Sequence, residues 1–190
     1  MAAWRAKTAM EATVRRACSF FDVVDRRRSV RAYATGSVPP EALEAILTVA
    51  SAAPSAGNLQ AYAIGVVDDP RTRSALAGAA YDQEFVANAP VILVFFADPA
   101  RSAAKYGERG ASLYCIQDAT IATAHAQLAA GALDLASCWV GAFDEHKVGE
   151  ILHAPPGLRA VAILPIGHPA EHPDRSARRP LEHLVHRGGF

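Results

Sequence analysis

Apolar residues recur along the chain in two patterns, one with the period of a helix and one typical of buried strands. Leu43, Ile46 and Ala50 fall on one helical face, and two prolines stand where the first turn would begin. We therefore predict a helix over residues 39–52. Short apolar runs and further periodic segments predict the other elements: strands over 62–67, 91–97, 137–140 and 159–166, and helices over 21–26, 70–80 and 144–152.

The longest periodic segment covers residues 113–131 and is rich in alanine. Ile116, Ile121 and Leu128 belong to a wide apolar stripe, and alanine fills much of the remaining surface. A helix that is apolar nearly all round is buried on more than one side. In a chain of 190 residues, a subunit interface offers a place to bury the second side, so we expect a central, dimer-forming helix.

Helices and strands alternate without a clean βαβ series, which favours an α+β or mixed α/β fold. No internal repeat or linker interrupts the pattern, so we expect a single domain over residues 1–190. We interpret residues 1–18 as an N-terminal extension or helix. Residues 168–190 form a C-terminal tail, and its first part, 168–177, should run over the surface or across to a partner.

Composition narrows the functional classes. The formal net charge is zero, so no global field attracts nucleic acid or an anionic membrane. No segment approaches the ~18 apolar residues that a membrane span needs, and residues 1–16 lack the pattern of a secretory signal. The three cysteines are widely spaced without a CxxC pair, which fits a reducing compartment. We expect a cytoplasmic protein with no nucleic-acid or membrane partner.

Arginine is concentrated in two places. Residues 26–31 read Arg-Arg-Arg-Ser-Val-Arg, and Arg178 and Arg179 stand near the C-terminus. Guanidinium groups bind phosphate oxygens bidentately, and a phosphomonoester carries about two negative charges, so one anion shared by both clusters is the favoured interpretation. A solvated basic turn and an RNA-binding patch remain alternatives. No aromatic residues interleave with the basic cluster, as stacking on bases would prefer.

Residues 53–60 form a loop that combines Pro54 and Ser55 with the amides of Asn58 and Gln60. Each amide offers both a donor and an acceptor, so the loop could recognise the edge of a planar heterocycle. The alternative is a helix stop followed by a turn.

Other reactive residues do not form a convincing site. Pro169 interrupts the pair His168 and His172, and no carboxylate or cysteine pattern completes the pair His183 and His186. Cys138 lies in a strand-like run and is interpreted as a small buried residue. We therefore predict no metal site and name no catalytic side chain.

Taken in order, these motifs resemble the FMN-dependent nitroreductase family over about residues 20–186, and most closely its compact members. The resemblance is carried by Arg-Arg-Ser-Val-Arg at 27–31, Ala-Pro-Ser-Ala-Gly-Asn-Leu-Gln at 53–60, the Ala-rich helix, Ser-Cys-Trp-Val-Gly-Ala-Phe at 137–143 and Arg-Arg-Pro-Leu-Glu at 178–182. It implies a mixed sheet flanked by helices, and a homodimer with FMN at the subunit interface.

The resemblance also implies roles for individual residues. The phosphate and ribityl contacts would come from Arg27, Arg28, Ser29 and Arg31, closed by Arg178 and Arg179. The flavin ring would meet Pro54, Ser55 and Asn58 of the other subunit, with Gln60 a further candidate, and the Val140 and Gly141 stretch would pass near its reactive edge. Two departures affect the substrate pocket: Ala61-Tyr62 and Gly141-Ala142 replace residues common among relatives.

The implied activity is reduction of nitroaromatics, quinones or related small-molecule acceptors by NADH or NADPH. Donor and acceptor would use one flavin face in turn, which predicts ping-pong kinetics. The same fold could instead serve dehalogenase-like chemistry, azoline oxidation, flavin fragmentation or FMN binding without turnover.

Overall fold

The computed structural model describes residues 19–189, so the predicted N-terminal extension lies outside the described residues. Four strands form one sheet: β1 Tyr62–Val67, β2 Val91–Ala97, β3 Ala136–Ser137 and β4 Arg159–Gly167. Their order is β1-β2-β4-β3, and each neighbouring pair is antiparallel. A single parallel bridge joins Ser29 to Ser137 beside β3, which adds the mixed character that the sequence predicted.

Helices cover both faces of this sheet and confirm the α+β fold class. No helix within residues 19–189 is long and apolar enough to cross a bilayer. The helices are α1 Phe20–Arg26, α2 Pro40–Ser51, α3 Pro70–Ala79, α4 Glu84–Asn88, α5 Pro99–Arg109, α6 Cys115–Ala132 and α7 Glu145–Ile151, with a 3₁₀ turn at Ala56–Asn58, a π turn at Gly110–Tyr114 and a 3₁₀ turn at Leu181–His183.

Strand β2 is buried along its whole length because both of its faces are covered. Side chains of a strand alternate between faces. Leu93 and Phe95 accordingly pack with Ile46 of α2 and with α6, whereas Ile92 and Val94 pack with α3 and α7 on the opposite face. A strand covered on both sides needs an unbroken apolar run, and residues 91–97 provide one.

Helix α6 is the central helix of the fold. Its buried side packs on α2 and the sheet, while Ile121, Ala124 and Leu128 are only partly buried. The continuous helical segment starts earlier than the predicted residue 113, because the π turn Gly110–Tyr114 leads directly into α6. A side chain on Gly110 would place its Cβ 2.5 Å from the Ser102 carbonyl oxygen, so the close approach of α5 requires glycine there.

Several predicted boundaries need correction. The strand predicted over 137–140 is shorter: β3 ends at Ser137, and Val140 rejoins the sheet through a separate bridge to Ile163. Helices α4 and α5 were not predicted. The former has only five residues, and the latter carries mostly polar side chains and alanine.

Candidate functional site

The arginine segment, residues 26–31, lies where α1 ends against the edge of the sheet. Ser19 and Asp22 cap the start of α1 reciprocally, and the backbone of Arg27 turns into an extended conformation with φ −56° and ψ 127°. The chain then pairs with β3, because the Val30 amide donates to the Ser137 carbonyl at 3.2 Å. The sheet edge thereby holds the backbone of the arginine segment in a defined position.

The C-terminal tail fixes the other side of this segment. Glu171 Oε1 accepts hydrogen bonds from the Arg31 amide at 2.5 Å and from the Ala32 amide at 3.2 Å. The Ala34 amide donates to the His168 carbonyl at 2.9 Å. The tail is therefore hydrogen-bonded to the arginine segment of its own chain and to the residues that follow it.

One cleft of about 280 Å³ brings the two arginine clusters together. Its lining includes most of the predicted phosphate-binding residues, namely Arg27, Arg28, Ser29, Arg31 and Arg178. Arg179 does not line this cleft, since its Nη2 donates to the His183 carbonyl at 2.9 Å.

The cleft is strongly positive. Within residues 19–189, no carboxylate lies within 4 Å of the guanidinium groups of Arg27, Arg28, Arg31 or Arg178. Arg175 also lines the cleft, but it is paired with Asp25 at 2.5 Å. Asp174 is the acidic residue in the lining. An anion entering this cleft would therefore meet several cations that have no carboxylate partner in the described part of the chain.

A half-buried tyrosine, Tyr33, and a buried cysteine, Cys138, lie next to the arginine segment. The Tyr33 hydroxyl donates to the Val30 carbonyl at 3.0 Å and to the Pro165 carbonyl at 3.3 Å, and burial raises the pKa of this phenol well above its ordinary value. Cys138 is 2% exposed, and burial raises the pKa of its thiol although Arg31 and Ser29 oppose the shift. Cys138 is thus packed in the interior, as the sequence predicted, and the raised pKa keeps its thiol protonated at neutral pH.

Loop 53–60 has an unusual backbone. Gly57, Asn58 and Gln60 have φ values of 57°, 57° and 49°, in the left-handed region that non-glycine residues seldom adopt. The Gln60 amide donates to Ser55 Oγ at 2.9 Å, and Gln60 Nε2 lies 3.4 Å from Asn58 Oδ1. Such conformations cluster at functional sites, where the surrounding structure holds them in place.

A buried carboxylate on α6 anchors this loop. Asp118 is 2% exposed, and its Oδ1 accepts a hydrogen bond from the Ala56 amide at 2.9 Å. Its Oδ2 is buried without a partner among the described residues. The pKa of Tyr62 is raised by burial and, to a lesser degree, by the Asp118 charge. Sequence reasoning missed this residue, although a lone acid on the buried side of an alanine-rich helix was an available signal.

Pro54 and Ser55 line a second cleft of about 520 Å³ together with Tyr114, Gln117 and Thr120 at the start of α6. Asn58 and Gln60 are exposed and lie outside that lining. The predicted ring-binding residues are therefore close together in the chain but face different ways. Pro54 and Ser55 face the second cleft, whereas Asn58 and Gln60 face solvent.

The predicted stretch at Val140 and Gly141 follows β3 and meets β4 at an isolated bridge between Val140 and Ile163. Val140 is 3% exposed, and its amide donates to the Ile163 carbonyl at 2.9 Å. Gly141 is exposed, and a Cβ there would lie 3.6 Å from Trp139 Nε1. The buried bridge therefore fixes the backbone immediately before an exposed glycine.

Comparison with known proteins identifies the family. The model of the nitroreductase family matches residues 24–83 and 75–168, which together cover well over half of the chain. The chain belongs to the nitroreductase family. The predicted resemblance is thereby confirmed.

Individual relatives align with this chain over most of their own length. An NADH dehydrogenase of Thermus thermophilus is 36% identical over 187 residues, covering 84% of this chain and 91% of that protein. An FMN reductase (NADPH) of Bacillus subtilis is 25% identical over 182 residues, covering 89% of this chain and 73% of that protein. The NADPH:FMN oxidoreductase of Vibrio harveyi, solved in complex with NAD+, has a TM-score of 0.83 and 26% identity, covering 90% of this chain and 77% of that one.

In this nitroreductase-family chain, the fold gathers most of the predicted anion-binding residues and separates them from loop 53–60. The arginine cleft adjoins another cleft in which Arg27 and Arg28 meet Gln127 and Gly131, near the end of α6. Loop 53–60 instead faces the first turns of the same helix. With a rise of 1.5 Å per residue, residues 116 and 127 are about 16 Å apart along the helix axis.

Proposed function

We propose that this protein is an FMN-dependent oxidoreductase that uses NADH or NADPH to reduce a small-molecule acceptor such as a nitroaromatic or a quinone. The observation that carries the proposal is the positive cleft shared by the two arginine clusters. Relatives named FMN reductase and NADPH:FMN oxidoreductase, which align over most of the chain, support the same assignment.

The donor set of the cleft fits the phosphate of FMN. A phosphomonoester near neutral pH carries close to two negative charges and three acceptor oxygens. Arg27, Arg31 and Arg178 supply guanidinium donors, and Ser29 adds a hydroxyl. We assign Arg179 a supporting role, because its bond to the His183 carbonyl ties down the chain directly after Arg178.

We further propose that the complete site is formed by a homodimer. In one chain, loop 53–60 and the arginine cleft lie near opposite ends of α6. A second copy packed on the half-buried face of α6 would bring its own Pro54, Ser55 and Asn58 to the flavin ring. An Ala124→Arg variant should then lose dimer formation and FMN together, measured by light scattering and by flavin absorbance. A monomer that still binds FMN tightly would contradict this arrangement.

Bound FMN would supply the redox chemistry by taking up a hydride and passing electrons on. The chain would bind its phosphate, orient its ring through loop 53–60, and place the exposed backbone at Gly141 near the reactive edge. No acid or base side chain is assigned to the reaction. The protonated thiol of Cys138 has no role as a nucleophile in this proposal.

Cofactor analysis tests the proposal directly. The purified protein should be yellow and should release FMN, rather than FAD, at about one per chain on denaturation. Arg27→Ala and Arg31→Ala should weaken FMN binding by about 2–3 kcal/mol, because a charge-assisted phosphate contact is lost. The matched control is Arg71→Ala, an exposed arginine on α3. Colourless protein that does not take up added FMN would refute the assignment.

Kinetics test the reaction order. If donor and acceptor occupy one face of the flavin in turn, initial-rate plots at several fixed levels of the second substrate should be parallel. NADH or NADPH alone should bleach the bound flavin, and menadione or a nitrobenzene derivative should then restore the colour. Intersecting lines would reject the shared face. Failure of both nicotinamides to bleach the flavin would refute NADH or NADPH as the reductant and would favour FMN binding without turnover or a different reductant partner.

A further inference from the structure

Two cations of α5 lie directly against loop 53–60. Arg101 and Lys105 are four residues apart, so they share one helix face with Cβ atoms roughly 5–6 Å apart. Arg101 Nε donates to the Leu59 carbonyl at 2.5 Å. Lys105 Nζ lies 2.6 Å from the position that a Cβ on Gly57 would take. The positive face of α5 therefore borders the segment to which we assign the flavin ring.

Aromatic contacts bring a third cation into the same group. Helix α5 is interrupted at Gly107, where φ is 55°, and Arg109 follows this break. Arg109 Nε donates to the Tyr114 hydroxyl at 3.0 Å, and the rings of Tyr114 and Tyr106 meet edge to face with centroids 5.2 Å apart. Lys105 Nζ lies 5.4 Å from the centroid of the Tyr106 ring. Two tyrosines in edge-to-face contact thus connect Arg109 to Lys105.

The charge of this group is not neutralised by ion pairs within the described part of the chain. Among residues 19–189, none of Arg101, Lys105 and Arg109 forms an ion pair, and all three side chains are exposed. Glu108 is the acid within α5. The chain as a whole is neutral, so a local cluster of three cations beside the candidate ring site indicates an anionic ligand.

We propose that Arg101, Lys105 and Arg109 bind the pyrophosphate of the nicotinamide dinucleotide while its nicotinamide ring stacks on the flavin. This inference rests on the proposed function and names the part of the donor that the protein recognises. In a dinucleotide, one ribose separates the nicotinamide from the pyrophosphate, so the anion must lie just beyond the ring site. Guanidinium groups and an ammonium next to loop 53–60 match that position and charge.

Comparison of two hydride donors tests the subsite. NADH carries the pyrophosphate, whereas 1-benzyl-1,4-dihydronicotinamide has the same reactive ring and no phosphate. In a Lys105→Gln/Arg109→Gln variant, the ratio of kcat/KM for NADH to that for the phosphate-free donor should fall by about 10- to 100-fold. Arg101 is left intact, because its bond to Leu59 also shapes the loop. The control is Lys147→Gln on α7, for which the ratio should stay at the parent value.

A binding measurement gives a second readout that needs no turnover. ADP-ribose, which contains the pyrophosphate without the nicotinamide, should bind the parent in calorimetric titration and bind the double variant about 10- to 100-fold more weakly. The proposal would be overturned if the double variant kept both the parent's kcat/KM ratio and its affinity for ADP-ribose. It would also be overturned if kcat/KM fell equally for NADH and for the phosphate-free donor. An effect confined to the KM of an anionic acceptor would also overturn it. If neither donor reduces the flavin of the parent, the proposed function fails, and the titration still decides whether the cations bind pyrophosphate.

Discussion

Replacing Asp118 by alanine should weaken FMN binding through loop 53–60, although the side chain lies on α6. The Asp118 carboxylate accepts a hydrogen bond from the Ala56 amide at 2.9 Å. Asp118 is only 2% exposed, so water cannot replace this hydrogen bond without entering the core. Hydrogen bonds to charged groups contribute about 1.5–3 kcal/mol. Part of this is offset, since the variant no longer buries Oδ2 without a partner.

The net expectation is a loss of about 1–2 kcal/mol in the free energy of FMN binding, a factor of about 5–30 in Kd. Asp118→Asn keeps an acceptor oxygen in place and should stay within about threefold of the parent. Both Kd values are measured by titrating apoprotein with FMN and following flavin fluorescence. Urea unfolding of each variant reports the accompanying change in the free energy of unfolding.

Thr123→Ala is the matched control for this experiment. Thr123 is also fully buried on α6, but its hydroxyl donates to the Ala119 carbonyl of the same helix at 2.7 Å and does not reach the loop. This variant should lower stability without changing the FMN Kd of the folded protein. If Asp118→Ala behaves in the same way, Asp118 is a core residue only, and the reasoning about the loop is wrong.

Three further variants test other parts of the structure. Gly57→Ala should destabilise the protein by more than ~1–2 kcal/mol, because φ is 57° and the new Cβ would meet Lys105 Nζ. The control is Gly149→Ala, which has open space around its Cβ and should be neutral or stabilising; thermal melts compare the two variants. Tyr33→Phe should cost about 1 kcal/mol near neutral pH. The raised pKa of Tyr33 adds stability that is fully present below pH ~10 and is lost as pH rises further, so urea titrations of the parent should show an alkaline decline that Tyr33→Phe reduces. Arg73→Ala should cost about 1.5–3 kcal/mol, because Nη1 donates to the Ala87 and Ala89 carbonyls that end α4; an equal urea midpoint for Arg73→Ala and exposed Arg71→Ala would contradict this role.

Local patterns predicted much of the secondary structure because the controlling interactions are short in sequence. The bounds of β1 and β2 agree with the predicted strands at 62–67 and 91–97, since each apolar run ends at polar or turn residues. Helix α5 was missed because its side chains are mostly polar. The start of α5 is marked in the sequence by Asp98-Pro99. In the structure, the Asp98 carboxylate accepts a hydrogen bond from the Arg101 amide at 3.0 Å.

The sequence by itself determined the family and named the residue types of the proposed anion site, because both depend on ordered motifs that can be read along the chain. Which of these residues meet was decided by tertiary contacts between distant positions. The Glu171 carboxylate accepts a hydrogen bond from the Arg31 amide, 140 residues away in the sequence. The Asp118 carboxylate accepts one from the Ala56 amide, 62 residues away. No periodicity encodes such pairs, since each depends on how two separate elements pack. The same packing brings Arg178 into one cleft with Arg27 and Arg31 and leaves Arg179 outside it.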